Sequence, residues 1–412
     1  MSENAHGRSG AAPQPNGFRD STGEGVLHPD LGPLPEEWQV VRLGDIAEAK
    51  YGKANPNDSG PIPVVGSGGI FANTSAPLVT YPTLVIGRKG TAGKVWLLLS
   101  PCYPSDTTFY LQWKKQIDVS FVFYFLNLQP LSGEHAKTTL PSLQKPYLEN
   151  TFIPLPPLPE QCAIAHVLST IQRAIEATER IIAATRELKK SLMRHLFTYG
   201  PVPPAEAESV PLRETEIGPL PVHWQVVRLR EVCDVYAGGD VSGLNYSPVK
   251  IGRFIYPIYS NSRENEGLYG FADTYKFPEN SITVTGRGNL GYAIPRYEKF
   301  NAIIRLLVLI PKTNLDIKFV SEFINEYVKV DVEGSSIPQL TRPKISKFAI
   351  PLPPLPEQQR IAEILQAVDA KIQAEEQRKV ALQSLFRSML HHLMTGRVRV
   401  PLPLVERYKE RR

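Results

Sequence analysis

The nearest approach to a catalytic signature in this 412-residue chain is Gly87-Arg88-Lys89-Gly90-Thr91-Ala92-Gly93-Lys94-Val95. A phosphate-cradling loop needs GxxxxGK followed by Ser or Thr, so that backbone amides hold the phosphates and a hydroxyl reaches magnesium. Here the first glycine stands one residue too early and Val95 has no hydroxyl, so the match is rejected. Asp30 with Glu48-Ala49-Lys50 satisfies, on paper, the Asp then Glu-x-Lys pattern of metal-dependent nucleases. An adenine methyltransferase turn, Asn or Asp followed by Pro-Pro-Tyr or Pro-Pro-Phe, does not occur, nor does a Gly-rich cofactor loop or a nucleophile elbow. His, Cys and carboxylates show no metal-ligand spacing. Cys102, Cys162 and Cys233 lie far apart without a CxxC pair, which indicates neither a zinc knuckle nor a disulfide framework and fits a reducing cytoplasm.

What must position any functional residue is a duplication. GPLPEEWQVVRLGDIAEA from Gly32 returns as GPLPVHWQVVRLREVCDV from Gly218, an offset of 186, and IPLPPLPEQ from Ile153 returns at Ile350, an offset of 197. The second copy therefore carries 11 additional residues between the markers. Gly87-Arg88-Lys89-Gly90 pairs with Gly286-Arg287-Gly288, and Leu140-Pro141-Ser142-Leu143 with Ile337-Pro338-Gln339-Leu340. A period this long is too great for a solenoid and signals a duplicated domain with its connector. The copy also disposes of the nuclease pattern: Asp234-Val235-Tyr236 stands where Glu48-Ala49-Lys50 stood, and Asp30 falls in a Gly/Pro/Ser-rich leader, residues 1–31, expected to be disordered. Trp38 and Trp224 recur and are expected to anchor the core.

The divergent middles read as mixed α/β globules. Thr83–Ile86, Val95–Leu99 and Ile303–Ile310 are short apolar runs bounded by Gly and Pro, as strands are, whereas 119–128 and 317–329 read as short helices. After each PLPPLPEQ comes a long stretch without Gly or Pro. The second places Ile361, Leu365, Val368, Ile372, Glu375, Lys379, Leu382, Phe386, Met389 and Leu393 on a 4,3 alternation, a heptad seam. Its counterpart runs through Ile164, Leu168, Ile171, Ile175, Thr178, Ile182, Thr185, Lys189, Leu192 and Leu196. Pro159 and Pro356 suit the first helical turn, Glu160 and Glu357 favour its positive end, and Gly200 and Gly396 mark the stops. The two seams are expected to pack on each other antiparallel; the alternative is that each helix packs on its own domain or on a partner. The Pro-rich octamers before each helix read as rigid elbows in preference to SH3 ligands.

Composition sets looser bounds. No run of 18 apolar residues is present, so no membrane span is expected. A formal charge of +5 with pI near 8.9 is compatible with nucleic-acid binding without requiring it. Residues 32–153 carry 10 basic and 9 acidic groups, residues 219–350 carry 16 and 13, and the tail 397–412 carries 6 and 2.

A duplicated block that begins GPLPxxWxVVRL and ends IPLPPLPEQ plus a long helix resembles the type I restriction-modification specificity (S) subunit, over about residues 32–400. The resemblance implies two target recognition domains, 32–153 and 218–350. It makes 154–200 the central conserved helix and 351–396 the C-terminal one, an antiparallel coiled coil between the domains. Residues 201–217 are then a linker and 397–412 a basic tail. It further implies a cytoplasmic chain that reads one half of a bipartite double-stranded DNA target with each domain and is not itself catalytic. Two methyltransferase subunits and restriction/translocase subunits would be its partners, holding the S-adenosylmethionine, ATP and magnesium, with no cofactor or metal in this chain. The rival readings are a coiled-coil adaptor that joins proteins without reading DNA, and a nuclease or methyltransferase with an unrecognised site.

The duplication acts as an internal control. Residues shared by both copies cannot by themselves read two different half-sites, so they are expected to serve scaffold, phosphate or partner roles. Arg88 and Arg287, each in a Gly-flanked turn, are the candidate phosphate contacts, with Lys89 and Lys94 assisting in the first copy. Polar loop residues that differ are the candidate base readers: Ser67, Ser105 and Thr107 in the first copy, Asn261, Arg263 and Asn289 in the second. Arg suits guanine and Asn adenine in the major groove.

Overall fold

The two ends of each repeated block meet in space. In the computed structural model, which describes residues 34–128, 131, 142–328 and 339–410, strand Gln39–Arg42 pairs antiparallel with strand Phe152–Leu155. Strand Gln225–Arg228 pairs with Ala349–Leu352 in the same register. The words WQVVR and IPLP thus recur together because they are the two strands of one ribbon, which closes each domain. This corrects the reading of the prolines as an elbow alone: Pro154 and Pro351 lie within the ribbon, and the helices start only at Leu158 and Leu355. The leader 1–31, Leu140-Pro141, Ile337-Pro338 and Lys329 lie outside the described residues.

The rest of the recurring octamer has equally specific work. Trp38 Nε1 donates to Glu160 at 3.1 Å, and Trp224 Nε1 donates to Glu357 at 2.9 Å. The glutamates placed at the helix starts therefore accept from the recurring tryptophans, which are 7% and 0% exposed. The next residue does a second job: the backbone N–H of Asp118 donates to Gln161 at 3.0 Å, and that of Asp316 to Gln358 at 2.9 Å. Each of those aspartates caps a short helix, accepting from Phe121 N or Phe319 N at 2.8 Å. Pro-Glu-Gln is a three-way joint between ribbon, long helix and domain helix.

The chain divides into two compact units, one made of residues up to Glu179 together with Gln377 onward, the other of Arg180–Glu376. In the first, a four-stranded sheet runs Ala47–Tyr51, Thr108–Trp113, Thr83–Gly87, Val95–Leu98. Beside it lies a three-stranded sheet, Gly69–Thr74, Ile62–Gly66, Tyr103–Pro104, and helix Val119–Leu128 covers the core. In the second, Cys233–Ala237, Leu307–Pro311, Ser281–Val284 and Ala293–Arg296 repeat the four-stranded order. The smaller sheet repeats too, as Leu268–Ala272, Tyr256–Tyr259 and Asn301–Ala302, with an extra edge strand, Tyr246–Ser247, supplied by part of the inserted sequence. Ile303–Ile310 is not one strand: Ile304 and Arg305 adopt left-handed φ of 54° and 57°, making a turn before the strand begins at Leu307.

Each unit also holds half of each long helix, Leu158–Tyr199 and Leu355–Met394. In the first, the start of one helix packs on the end of the other: Ile164 and Leu168 share a core with Leu393 and Met394. In the second, Met193 and Leu196 share one with Ile361 and Leu365. The pairing is antiparallel, and the start of each helix also covers its own domain. Of the remaining seam positions, Ile175 is buried and Ile171, Val368 and Ile372 are half-buried. Gly200 and Gly396, with φ of 82° and 67°, take the left-handed turn that ends each helix. The basic tail forms helix Leu402–Lys409, whose Leu404, Val405 and Tyr408 pack on the first unit. Arg399 forks onto Glu160 at 2.7 and 3.0 Å, and this bond raises its pKa. His223, 2.9 Å from Glu357, takes that place in the second unit.

Candidate nucleic-acid interface

In the first unit the six candidates converge on one end of the sheets, where strands Ile62–Gly66 and Thr83–Gly87 and the turn at Ser105–Thr107 arrive together. Arg88 N and Lys89 N both donate to Thr107 O, at 2.8 and 3.2 Å, and Gly87 N donates to Lys94 O at 2.8 Å. Ser67 N donates to Thr107 Oγ1 at 3.3 Å. Gly87 is forced by space, because a Cβ there would sit 2.2 Å from Thr91 O. Gly90 is forced by its φ of 76°.

The cations are held on aromatic faces. The Arg88 guanidinium lies 5.4 Å from the Tyr51 ring and 6.0 Å from Phe109, with Nη2 donating to Asp106 O at 2.7 Å and Nε buried without a partner. Lys94 Nζ lies 4.3 Å over Trp96, whose Nε1 reaches Ser67 O at 3.4 Å. Lys89 and Lys94 are exposed, and Ser67, Arg88 and Thr107 half-buried. Ser105 is not available for contact: it is 1% exposed and its Oγ lies 2.8 Å from Thr107 Oγ1, so it braces the turn that presents Thr107.

The second unit brings its four candidates to the matching end. Asn261 spans the strand ends, donating Nδ2 to Ile304 O at 2.6 Å and accepting from Gly286 N at 2.7 Å. It does the bridging that Thr107 and Arg88 do in the first copy. Arg263 is exposed, its guanidinium 4.2 Å from the Tyr292 ring. Asn289 is exposed, with its carbonyl accepting from Thr285 Oγ1.

The pairing of Arg88 with Arg287 needs correction. Leu143 N donates to Arg88 O, and Leu340 N donates to Gly286 O; Gly93 N donates to Gly87 O, and Gly291 N to Thr285 O. Arg88 therefore corresponds to Gly286, and Arg287 occupies the position of Lys89. The four-residue Gly word of one copy and the three-residue word of the other had hidden this shift. Two further residues escaped the sequence: Arg305, at the position of Thr107, and Arg342, the first residue of the short helix Arg342–Ile345. Arg305 was hidden inside an apolar run read as a strand.

Among the described residues no group of three or more His, Cys, Asp or Glu is placed to hold a metal ion, and no helix is long and apolar enough to cross a membrane. Fold and site together describe a tandem pair of DNA-specificity domains joined by paired helices. The family model for the type I restriction modification DNA specificity domain matches residues 35–186 and again 221–384, and the chain belongs to that family. It is 25% identical over 406 residues to the type I restriction enzyme MjaVIII specificity subunit of Methanocaldococcus jannaschii, covering 89% of this chain and 94% of that one. It is 28% identical over 423 residues to the putative MjaX specificity subunit of the same organism, covering 90% and 96%. The fold matches the crystal structure of a type I restriction-modification S subunit from M. genitalium with a TM-score of 0.61, at 18% identity, over 86% of this chain and 96% of the other.

Proposed function

We propose that the chain is the reading subunit of a type I restriction-modification complex. Recognition domains 32–153 and 218–350 each read one half of a bipartite DNA target, and the antiparallel helices set the gap between the halves. The observation that carries this is the repetition of one scaffold, strand for strand, with different side chains at the two loop ends. Chemistry falls to partners: two methyltransferase subunits using S-adenosylmethionine and translocase-nuclease subunits using ATP and magnesium, in the cytoplasm. The chain itself performs no bond-breaking step. Its modest positive charge leaves much of the phosphate grip to those partners.

The test is a loop exchange in cells that carry the chain and its partner subunits. Replacing Ser67, Lys89, Lys94 and Thr107 by the residues of a differently specific relative should change one half of the methylated target and leave the other intact. Both halves changing, or neither, would contradict the assignment. Incubating the purified chain with DNA, magnesium and S-adenosylmethionine should yield neither cleavage nor methyl transfer; either product would overturn the non-catalytic reading.

A further inference from the structure

The reading end of the second unit has a cleft whose walls differ from the first unit at three matched positions. In the first unit the Arg88 side chain lies over Tyr51 and Phe109. The matching strand and turn positions in the second are Gly286, Ala237 and Leu307, as the sheet registers and turn hydrogen bonds show. Gly286, Ala237 and Leu307 line a cleft of about 210 Å³. Its rim carries Arg287, Arg305 and Arg342 at the positions of Lys89, Thr107 and Lys145. Among the described residues no carboxylate pairs with any of the three, and Arg287 Nε is buried without a hydrogen-bond partner. The left-handed turn at Ile304-Arg305 is what brings Arg305 to the rim.

We propose that this cleft seats one phosphodiester group of the DNA backbone, clamped by Arg287, Arg305 and Arg342. The inference rests on the DNA-reading assignment and sharpens it: the two recognition domains grip the backbone differently, the first with lysines on an aromatic-filled surface, the second with an arginine-ringed recess. Guanidinium donors form a planar fork that matches phosphate oxygens and keep their charge at any working pH. A group of this kind positions the duplex and carries no base sequence.

The experiment measures binding of the full chain to a mixed-sequence duplex by fluorescence anisotropy over a potassium chloride series. Each phosphate contact adds about 0.9 to the magnitude of the log–log salt slope. The double variant Arg305→Gln/Arg342→Gln should lower that slope by about 1 and weaken binding to all duplexes alike. Ala237→Tyr, which fills the recess while keeping all three arginines, should do the same at unchanged net charge. Lys190→Gln, on the long helix, should leave the slope as it was. A wild-type slope in both cleft variants, with thermal unfolding unaltered, overturns the clamp. So does a loss confined to one base sequence, which would make these arginines base readers. Failure of the wild-type chain to bind any duplex even at the lowest salt, where the phosphate contribution is strongest, would instead overturn the DNA-reading assignment itself.

Discussion

The contact between the second recognition domain and the helix pair is built from charge, where the first uses rings, and this makes a quantitative prediction. Lys189 lies 3.0 Å from Glu322 and 2.7 Å from Asp369, while Lys318 lies 2.6 Å from Glu322 and 2.9 Å from Asp369. The four groups close a ring that ties helix Ile317–Tyr327 to both long helices. In the first unit the places of Glu322 and Lys189 are taken by Tyr124 and Phe386, whose rings meet edge to face at 6.0 Å. The Glu322 side chain is 7% exposed and bridges two cations, so Glu322→Ala leaves Asp369 alone to neutralise both lysines, and loss should reach about 1.5–3 kcal/mol, the range for hydrogen bonds to charged groups. Replacing the pair together, Glu322→Tyr with Lys189→Phe, imports the other unit's solution and should be close to neutral or stabilising by about 1–4 kcal/mol. Urea unfolding, which adds no ionic strength, measures both, with amide exchange of helix Ile317–Tyr327 as the local reporter. The reasoning fails if Glu322→Ala loses less than about 1 kcal/mol, or if the double replacement is the worse of the two. Acid should act in the same direction. Burial raises the Asp369 pKa, but hydrogen bonds from Lys189 and Lys318 outweigh it and hold it below 3.8. A depressed carboxylate stabilises above its unfolded value, so this contribution is full at neutral pH and is lost as pH falls through the folded value.

Three further outcomes are expected. Burial lifts the thiol of Cys102 to about 11 and that of Cys233 to about 12, so neither should react with a maleimide in the native chain at neutral pH; rapid labelling of either, read by peptide mass spectrometry, would contradict their packing. Gly87→Ala pushes a methyl group against Thr91 O and should abolish binding to the half-site read by the first unit while leaving the second half-site bound; anisotropy with two half-site duplexes decides it. Arg399→Gln removes both bonds to Glu160, so amide protection of helix Leu402–Lys409 should fall severalfold; unchanged protection would show that Leu404, Val405 and Tyr408 alone hold the tail.

Much of the fold was legible because the chain states it twice. The shared words at the ends of each block identified the duplication, and the heptad spacing of Ile164, Leu168, Ile361 and Leu365 pointed to paired helices, positions that are buried in the two cores. What stayed hidden depends on atoms brought together from distant segments. Glu160 and Glu357 were placed at helix starts for the dipole, but no local pattern announces an indole N–H more than a hundred residues away. Ser105 sits in a polar turn and still is buried, its hydroxyl turned onto Thr107 Oγ1. The equivalence of Arg287 with Lys89 follows from backbone hydrogen bonds, to which glycine spacing is blind. The turn at Ile304-Arg305 escaped for a similar reason: apolar residues continue through it, so alternation carries no break.

The central claim is that geometry sets the gap between the half-sites. One heptad inserted after Glu179 and one after Glu376, where the helices pass from one unit to the other, preserves the seam and lengthens the pair by about 10 Å at ~1.5 Å per residue. At ~3.4 Å per base pair this is about three base pairs. Methylome sequencing of a host carrying the double insertion with its partner subunits should return the same two half-sites with a spacer longer by about three base pairs. An unchanged spacer, with both half-sites still methylated, would contradict the account.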